Sequence, residues 1–312
     1  MAESPLYVAI TIDLDPDNFD TSIFGPALNI SWRGVEQGIP SLLTAVDTAR
    51  LEDSRGRRPR FTWFVRSDTG LYRIYGTSLY LFERFKTFLR GRAQCGDEIG
   101  WHPHVTELDE LQASFQALQE QEVHCASVRV GNAFHSNSLM AALAGWGLRV
   151  DSTALPGRVR HDRERTLDWT GTPSEPYFPS LHDYRIPSAP AHPILEVPMS
   201  MIYTKASYDR SGLFRYLNLS YRNAIVKESI VQSIQQEELL VAIVHPSELL
   251  ERGTKHPLIS FDCKEAIANI VFISQEARVQ GRELQYITIA DIARLVQEKN
   301  ISYAPNVPQT RS

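Results

Sequence analysis

Short runs of β-branched and aromatic residues alternate with helical patterns along most of this 312-residue chain. Strands are predicted at residues 6–13, 60–65, 97–102, 126–131, 148–152, 194–199, 239–245 and 285–289. Apolar residues at helical spacing predict helices at residues 40–52, 79–92, 107–122, 136–146, 214–236, 262–280 and 290–299. Strand alternating with helix indicates the α/β class with a mainly parallel sheet.

Polar and ionisable residues follow nearly every predicted strand at its carboxyl end. They are Asp13, Asp15, Arg66, Asp68, His102, His104, Arg129, Asp151, Ser152 and His245. An open sheet also fits the alternation, but contributions from many strand ends are typical of (β/α) barrels, whose active sites lie at that rim. No glycine-rich phosphate loop follows the first strand, where Asp15-Pro16-Asp17-Asn18 stands instead. The sequence therefore favours a barrel.

Composition narrows the range of partners. A net charge of −5 and a pI near 6.0 give no basic surface for nucleic acid or for an anionic membrane. No apolar run reaches the ~18 to 20 residues of a membrane span, and the first residues lack the pattern of a secretory leader. We therefore expect a cytoplasmic protein with a small or glycan-like partner. The three cysteines form no Cys-X-X-Cys pair, and the sequence predicts no oligomeric state.

The segment from residue 149 to 203 departs from the alternation because it is rich in proline, aromatic and charged residues. We predict a single domain over residues 1–312, with a long loop insertion around residues 154–193. Trp169 in this loop is a candidate for one wall of a sugar-binding cleft, where its ring would stack on substrate. The alternative is a loop that only seals the barrel.

Two short motifs share one design. Asp13-Leu14-Asp15 and His102-Pro103-His104 each end an apolar run that is predicted to be a buried strand. In an extended backbone, residues i and i+2 point to the same side, so each motif can aim two side chains at one point. Pro103 disfavours helical geometry at the residue before it. Carboxylates together with imidazoles suggest a divalent metal site.

Six short motifs occur in one order along residues 7–250. They are Thr11-Ile12-Asp13-Leu14-Asp15, Phe61-Thr62-Trp63-Phe64-Val65, Gly96-Asp97-Glu98-Ile99-Gly100-Trp101-His102, Arg129-Val130-Gly131, Asp151-Ser152-Thr153 and Val244-His245-Pro246. This ordered set resembles the NodB-like polysaccharide deacetylase superfamily, carbohydrate esterase family 4. The Asp-X-Asp start followed by residues 33–40 is most similar to the branch that contains the formamido-arabinose deformylase.

The resemblance implies a distorted (β/α) barrel with seven or eight parallel strands and a metal-dependent hydrolase that removes an N-acyl group from an amino sugar. It assigns Asp13 as the general base, and Asp15, His102 and His104 as metal ligands. Zinc is the first choice on ligand type, with Co, Ni, Fe and Mn as alternatives. His245 would protonate the departing amine, and Arg129 would orient the catalytic aspartate. Weaker candidates for substrate binding are Arg66, Asp68, Asp151, Trp169 and Glu248, and all of these except Trp169 are also candidates for supporting the metal ligands.

One departure from the family pattern affects the metal ligands. The family commonly places two metal-binding histidines four residues apart, but position 106 here is Thr106, and the second imidazole is at His104. The second aspartate also arrives one residue later than in the commonest form. The roles of Asp13 and Asp15 therefore stay open to exchange, and Glu107 is a further candidate ligand if His104 does not reach the site.

Three functions compete for this chain. The first is a hydrolase that removes an acetyl or formyl group from an amino sugar that is free, nucleotide-linked, lipid-linked or part of a glycan. The second is a catalytically silent barrel that binds a glycan or a protein partner. The third is a related amidase for a non-sugar substrate such as a ureide or a cyclic imide. We favour the first, acting on an intermediate of surface-glycan assembly.

Overall fold

The computed structural model describes residues 4–17, 30–161, 166–253 and 255–298. Its strands are β1 (Pro5–Leu14), β2 (Phe61–Arg66), β3 (Glu98–His102), β4 (Ser127–Val128), β5 (Val150–Asp151), β6 (Val159–His161), β7 (Thr166–Asp168), β8 (Leu195–Glu196), β9 (Met201–Thr204), β10 (Leu213–Tyr216), β11 (Leu239–Val244) and β12 (Glu283–Tyr286).

The α-helices are α1 (Ile39–Thr48), α2 (Thr69–Tyr75), α3 (Tyr80–Arg84), α4 (Lys86–Gln94), α5 (Leu108–Glu120), α6 (Asn137–Gly145), α7 (Asn223–Gln236), α8 (Cys263–Val279) and α9 (Ile289–Glu298). A π-helical turn, Gly34–Gly38, leads directly into α1, and 3-10 turns lie at Gly131–Ala133 and Pro246–Leu249. Within the described part of the chain, none of these helices has both the length and the apolar character needed to cross a bilayer.

The main sheet has the strand order β11-β1-β2-β3-β4-β5-β8, and β12 pairs with the beginning of β1. The ladders of β1 with β11 and β2, and those that join β3, β4, β5 and β8, are parallel. In the described residues this order begins at β11 and ends at β8. The predicted α/β fold with seven or eight parallel strands is confirmed. The prediction of a single domain stays a prediction.

One compact unit comprises Met1–Arg66, Arg90–Glu98 and Ser200–Thr288. Its central strand is β1, which is buried along nearly its whole length because both of its edges carry partner strands. A continuous apolar sequence is what a parallel strand covered on both faces requires. Ile12 is in register with Val244 of β11, and Leu14 is in register with Val65 of β2. These three strands therefore end at the same edge, where the ionisable residues follow.

The other unit comprises Ser67–Leu89, Ile99–Met199 and Ile289–Ser312. Its strands β4, β5 and β8 are short, but backbone hydrogen bonds to the neighbouring strand continue past the end of each one. Arg129 N donates to Trp101 O at 2.9 Å, Ser152 N to Val128 O at 2.9 Å, and Val197 N to Asp151 O at 2.7 Å. The residues that follow β4, β5 and β8 are therefore held against the neighbouring strands β3, β4 and β5.

Several predicted elements differ in the structure, and a helix and a strand illustrate why. Residues 214–236 were expected to form one helix, but Leu213–Tyr216 is strand β10, antiparallel to β9, and α7 begins only at Asn223. Phe214 and Tyr216 favour an extended backbone, and pairing with β9 outweighs the helical spacing. The strand expected at residues 285–289 ends at Tyr286, because α9 already begins at Ile289.

Candidate metal centre and active site

Two imidazoles converge at the end of β3. His102 and His104 lie on either side of Pro103, and their Nε2 atoms are 3.0 Å apart. Nδ1 of His102 is 2.7 Å from the carbonyl oxygen of Arg129, and since a carbonyl only accepts, Nδ1 carries the proton. Nε2 of His102 is then the basic nitrogen. A second ring nitrogen held by a carbonyl is the usual arrangement of a metal-binding histidine.

The backbone of this motif is held from both sides. The N–H of His104 donates to Oδ2 of Asp68 at 3.0 Å, and Oδ1 of the same carboxylate caps helix α2 through the N–H of Leu71. The N–H of Gly131 donates to the carbonyl oxygen of Pro103 at 2.7 Å. Asp68 is fully buried, so these contacts favour support of the His-Pro-His segment over the predicted substrate binding.

The carboxylates at the end of β1 are buried beside an arginine. Asp13 is in β1 and Asp15 follows its end, where the N–H of Asp15 donates to the carbonyl of Asp13 at 2.8 Å, and both residues are nearly covered by protein. Nη1 of Arg66 lies 3.6 Å from Oδ1 of Asp15. A guanidinium at that distance stabilises the ionised form of the carboxylate, which is the form that binds a metal.

Asp15, His102 and His104 each offer one ligand atom, and these atoms lie within 4.8 Å of one another. One carboxylate and two imidazoles form a donor set suited to zinc and to neighbouring transition metals. Two nitrogen ligands that each lie about 2.0 to 2.1 Å from a zinc ion are about 3.0 Å apart when their angle is near 90°. The residues present therefore fit a divalent metal, and the structure contains a possible Asp-His-His metal site.

His245 follows β11 and is paired with Glu248 across the turn Pro246–Leu249. The backbone N–H of His245 donates to Oε2 of Glu248 at 3.1 Å, and Nδ1 lies 3.4 Å from Oε1, which also accepts from Nδ2 of Asn218 at 2.9 Å. Burial lowers the pKa of His245, but the carboxylate of Glu248 and, more weakly, Asp13 and Asp15 outweigh it and raise this pKa to about 9. His245 is therefore protonated at neutral pH, as a general acid must be.

Glu248 was a candidate for substrate binding, and its contacts favour a different role. Its carboxylate is buried, and the His245 imidazolium holds its pKa below the ordinary value despite that burial. Both oxygens are engaged by His245 and Asn218. Glu248 thus fixes the orientation and charge of His245.

Asp17 is a residue that sequence reasoning did not select. Its carboxylate accepts from Ser31 Oγ at 2.6 Å and from the N–H groups of Arg33 and Gly34 at 2.8 Å each, so it caps the helical segment that becomes α1. Its own carbonyl accepts from Arg252 at 2.9 Å. Its position two residues after Asp15 is the one local signal in the sequence, and its partners Ser31, Arg33 and Gly34 lie too far along the chain to be predicted.

Arg129 and Asp151 lie at the ends of β4 and β5. Arg129 is buried and donates to the carbonyl and hydroxyl oxygens of Ser152 at 2.8 and 3.0 Å. Its predicted role in orienting the catalytic aspartate stays a prediction. Asp151 accepts from the hydroxyl of Thr153 and lies 2.7 Å from Nε2 of His135. These contacts place Asp151 in a buried network of protein groups.

Glu196, which sequence reasoning missed, completes that network. Burial and the nearby charge of Asp151 raise the pKa of Glu196 well above its ordinary value, although the N–H groups of Thr153 and Ala154 donate to it.

Trp169 is fully buried, and its indole N–H donates to the carbonyl of Ala133. A fully buried ring offers no face to a sugar, so these contacts favour packing of the loop over stacking on substrate.

Comparisons with known proteins give a similarity of fold. No family model and no curated protein matches the sequence. A structure described as a polysaccharide deacetylase from Mycobacterium smegmatis aligns with a TM-score of 0.55 and 18% identity, over 96% of this chain and 93% of that one. A family 4 carbohydrate esterase from Streptomyces lividans, in complex with acetate, aligns with a TM-score of 0.40 and 14% identity, over 93% and 95%. The first similarity shows that the chain shares the fold of that deacetylase.

Proposed function

We propose that this chain is a metal-dependent hydrolase that removes an N-acyl group from an amino sugar or from a glycan intermediate. The observation that carries the proposal is the donor set of Asp15, His102 and His104 at the carboxyl ends of parallel strands. The fold shared with a polysaccharide deacetylase supports it. Membership of the NodB-like superfamily, and a place near its formamido-arabinose deformylase branch, are parts of the same proposal.

The donor set determines what the residues around it do. A divalent cation, with zinc as the first choice, would lower the pKa of a water molecule and polarise the acyl carbonyl. Asp15, His102 and His104 would hold that cation. Asp13 is buried near the end of β1, two residues before Asp15, and we assign it as the base that accepts the proton of the attacking water.

His245 supplies the second proton transfer. An amide is cleaved when its nitrogen leaves as an amine, and that nitrogen must gain a proton as the C–N bond breaks. The pKa of about 9 keeps His245 charged at neutral pH, and Glu248 holds the ring by the contacts described above. The charges of Asp13 and Asp15 contribute to that pKa, which supports the proposal that His245 acts together with these two carboxylates.

The proposed substrate is an uncharged acyl amide on a sugar. Arg66 is the basic residue that we assign to substrate binding. Arg66 is buried next to Asp15, so it also stabilises the charge of that ligand. Whether the acyl group is acetyl or formyl depends on the size of the space beside the cation. We propose both as substrates to be tested.

Release of the acyl product tests the proposal. Purified protein, loaded in turn with Zn, Co, Ni, Fe and Mn, is incubated with N-acetyl and N-formyl amino sugars, and acetate and formate are measured. We expect release that is lost in His102→Ala and kept in His161→Ala, since the His161 ring is exposed and contacts only the hydroxyl of Thr166 among the described residues. Metal binding without release from any sugar, but with turnover of a ureide or cyclic imide, would refute the sugar substrate.

A further inference from the structure

Gly131 lies directly against the ring of His104. A Cβ added to Gly131 would be 2.4 Å from Cδ2 of His104 and 2.5 Å from its Cγ and Nε2. Contacts of a Cβ atom below 3.0 Å essentially do not occur in proteins. Any other residue at position 131 therefore displaces the imidazole or the backbone.

Backbone conformation does not explain this glycine. Gly131 is absent from the residues with positive φ, whereas the next two residues, Asn132 and Ala133, have φ of 58° and 55°. The left-handed part of the turn is thus formed by residues with side chains. Gly131 is required for the space that it leaves, and the space is filled by His104.

Hydrogen bonds prevent the two segments from moving apart. The N–H of Gly131 donates to Pro103 O at 2.7 Å, and the N–H of Arg129 donates to Trp101 O at 2.9 Å. The carbonyl of Arg129 binds Nδ1 of His102 at 2.7 Å. Residues 129–131 therefore contact both histidines, one through a carbonyl and the other through a bare Cα.

We propose that Gly131 is a positioning residue for metal binding, because it seats the His104 imidazole where its Nε2 can share a cation with Nε2 of His102. The inference rests on the metal centre of the proposed function. It also explains how two histidines only two residues apart can both serve as ligands: the second ring lies against a residue without a side chain.

The required displacement exceeds what a metal site tolerates. To restore a 3.0 Å contact, the ring of His104 must retreat by the difference between 3.0 and 2.4 Å, about 0.6 Å. Metal–ligand distances in working sites stay within about 0.2 Å of their ordinary values. Loss of a group that orients a ligand typically weakens metal binding about 10- to 100-fold, and we expect Gly131→Ala to do the same.

Titration of the metal-free protein with Co²⁺ and Zn²⁺, followed by calorimetry and by Co²⁺ absorption, tests this role without any enzymatic assay. The variants are Gly131→Ala, His104→Ala and the double variant, and the control is Gly145→Ala, because a Cβ at Gly145 meets no atom within 4 Å. We expect a Kd about 10- to 100-fold higher for Gly131→Ala and an unchanged Kd for Gly145→Ala. The double variant should bind no more weakly than His104→Ala, since the imidazole that the methyl group displaces is already gone.

The same set of variants also provides the control for loss of folding. If Gly131→Ala is unfolded, the double variant should recover the wild-type circular dichroism spectrum, because removal of the ring frees the space. Wild-type affinity in Gly131→Ala, or a double variant weakened by the product of the two single effects, overturns the inference. A wild-type protein that binds neither metal overturns it together with the metal centre. A wild-type protein that binds metal but releases no acyl group refutes the proposed function alone, and the Gly131 comparison stands.

Discussion

Replacing Glu248 by Gln removes the charge that keeps His245 protonated while it preserves the size of the side chain. In the wild-type protein the carboxylate receives the N–H of His245 at 3.1 Å, its Nδ1 at 3.4 Å and Nδ2 of Asn218 at 2.9 Å. Without that charge, burial lowers the pKa of His245 and only the weaker effects of Asp13 and Asp15 oppose it, so the pKa should fall from about 9 toward its ordinary value of 6.5. The imidazole then loses its proton near neutral pH.

The size of the effect follows from the two pKa values. At pH 8 a group with a pKa of about 9 is about 90% protonated, and one with a pKa of about 6.5 is about 3% protonated. The rate constant kcat/KM of Glu248→Gln should thus fall about 30-fold at pH 8 but only about 1.3-fold at pH 6. A cation at Asp15 lowers the pKa of His245 in both proteins, so both profiles move to lower pH by the same amount and the separation between their alkaline limbs is the quantity that we expect to remain.

The assay is a profile of kcat/KM from pH 5.5 to 9.5 on the sugar amide that gives the fastest acyl release. Glu251→Gln, an exposed residue three positions further on, is the matched control and should keep the wild-type profile. Titration of the His245 ring by NMR measures the same pKa without substrate. An alkaline limb at the same pH in the wild-type protein and in Glu248→Gln would refute the role of His245 as the proton donor.

Three further predictions concern other parts of the structure. Asp13→Asn should lower kcat at least about 100-fold and keep the metal, whereas Asp15→Asn should lose the metal. Elemental analysis measures the metal content, and the opposite pattern would mean that the two residues exchange roles. Asp17→Ala leaves the N–H groups of a helix start unpaired and should lower the free energy of unfolding by about 2 kcal/mol in urea titrations; an unchanged midpoint would contradict it. Because the pKa of Glu196 is raised on folding, its stabilising contribution is present below its ordinary value of 4.5 and is lost as the pH rises. Glu196→Gln should therefore gain stability relative to the wild-type protein between pH 5 and 8, and parallel stability curves would refute this.

The fold could be predicted because its main signal is local. The long strands β1 and β11 carry continuous apolar runs. The period-two geometry of an extended chain is enough to predict that Asp13 lies with Asp15 and His102 with His104. Residues 214–216 were mistaken for helix because their extended backbone depends on pairing with β9 and not on their own sequence.

The partners of the site residues were harder to predict, because they are set by tertiary contacts. Nothing local marks Glu248 as the partner of His245 in place of substrate, or Asp17 as the cap of a helix that begins beyond residue 30. Gly131 stands out in the sequence only as part of a motif. Its packing against His104 depends on the separation of two neighbouring chain segments, which the sequence does not encode in a readable pattern.

A crystal grown with Zn²⁺ or Co²⁺, with anomalous data collected above and below the absorption edge of that metal, tests the central claim most directly. We predict one strong anomalous peak about 2.0 to 2.2 Å from a carboxylate oxygen of Asp15 and from Nε2 of both His102 and His104. Density for water alone between these three side chains, at full metal saturation of the crystal, would contradict the account.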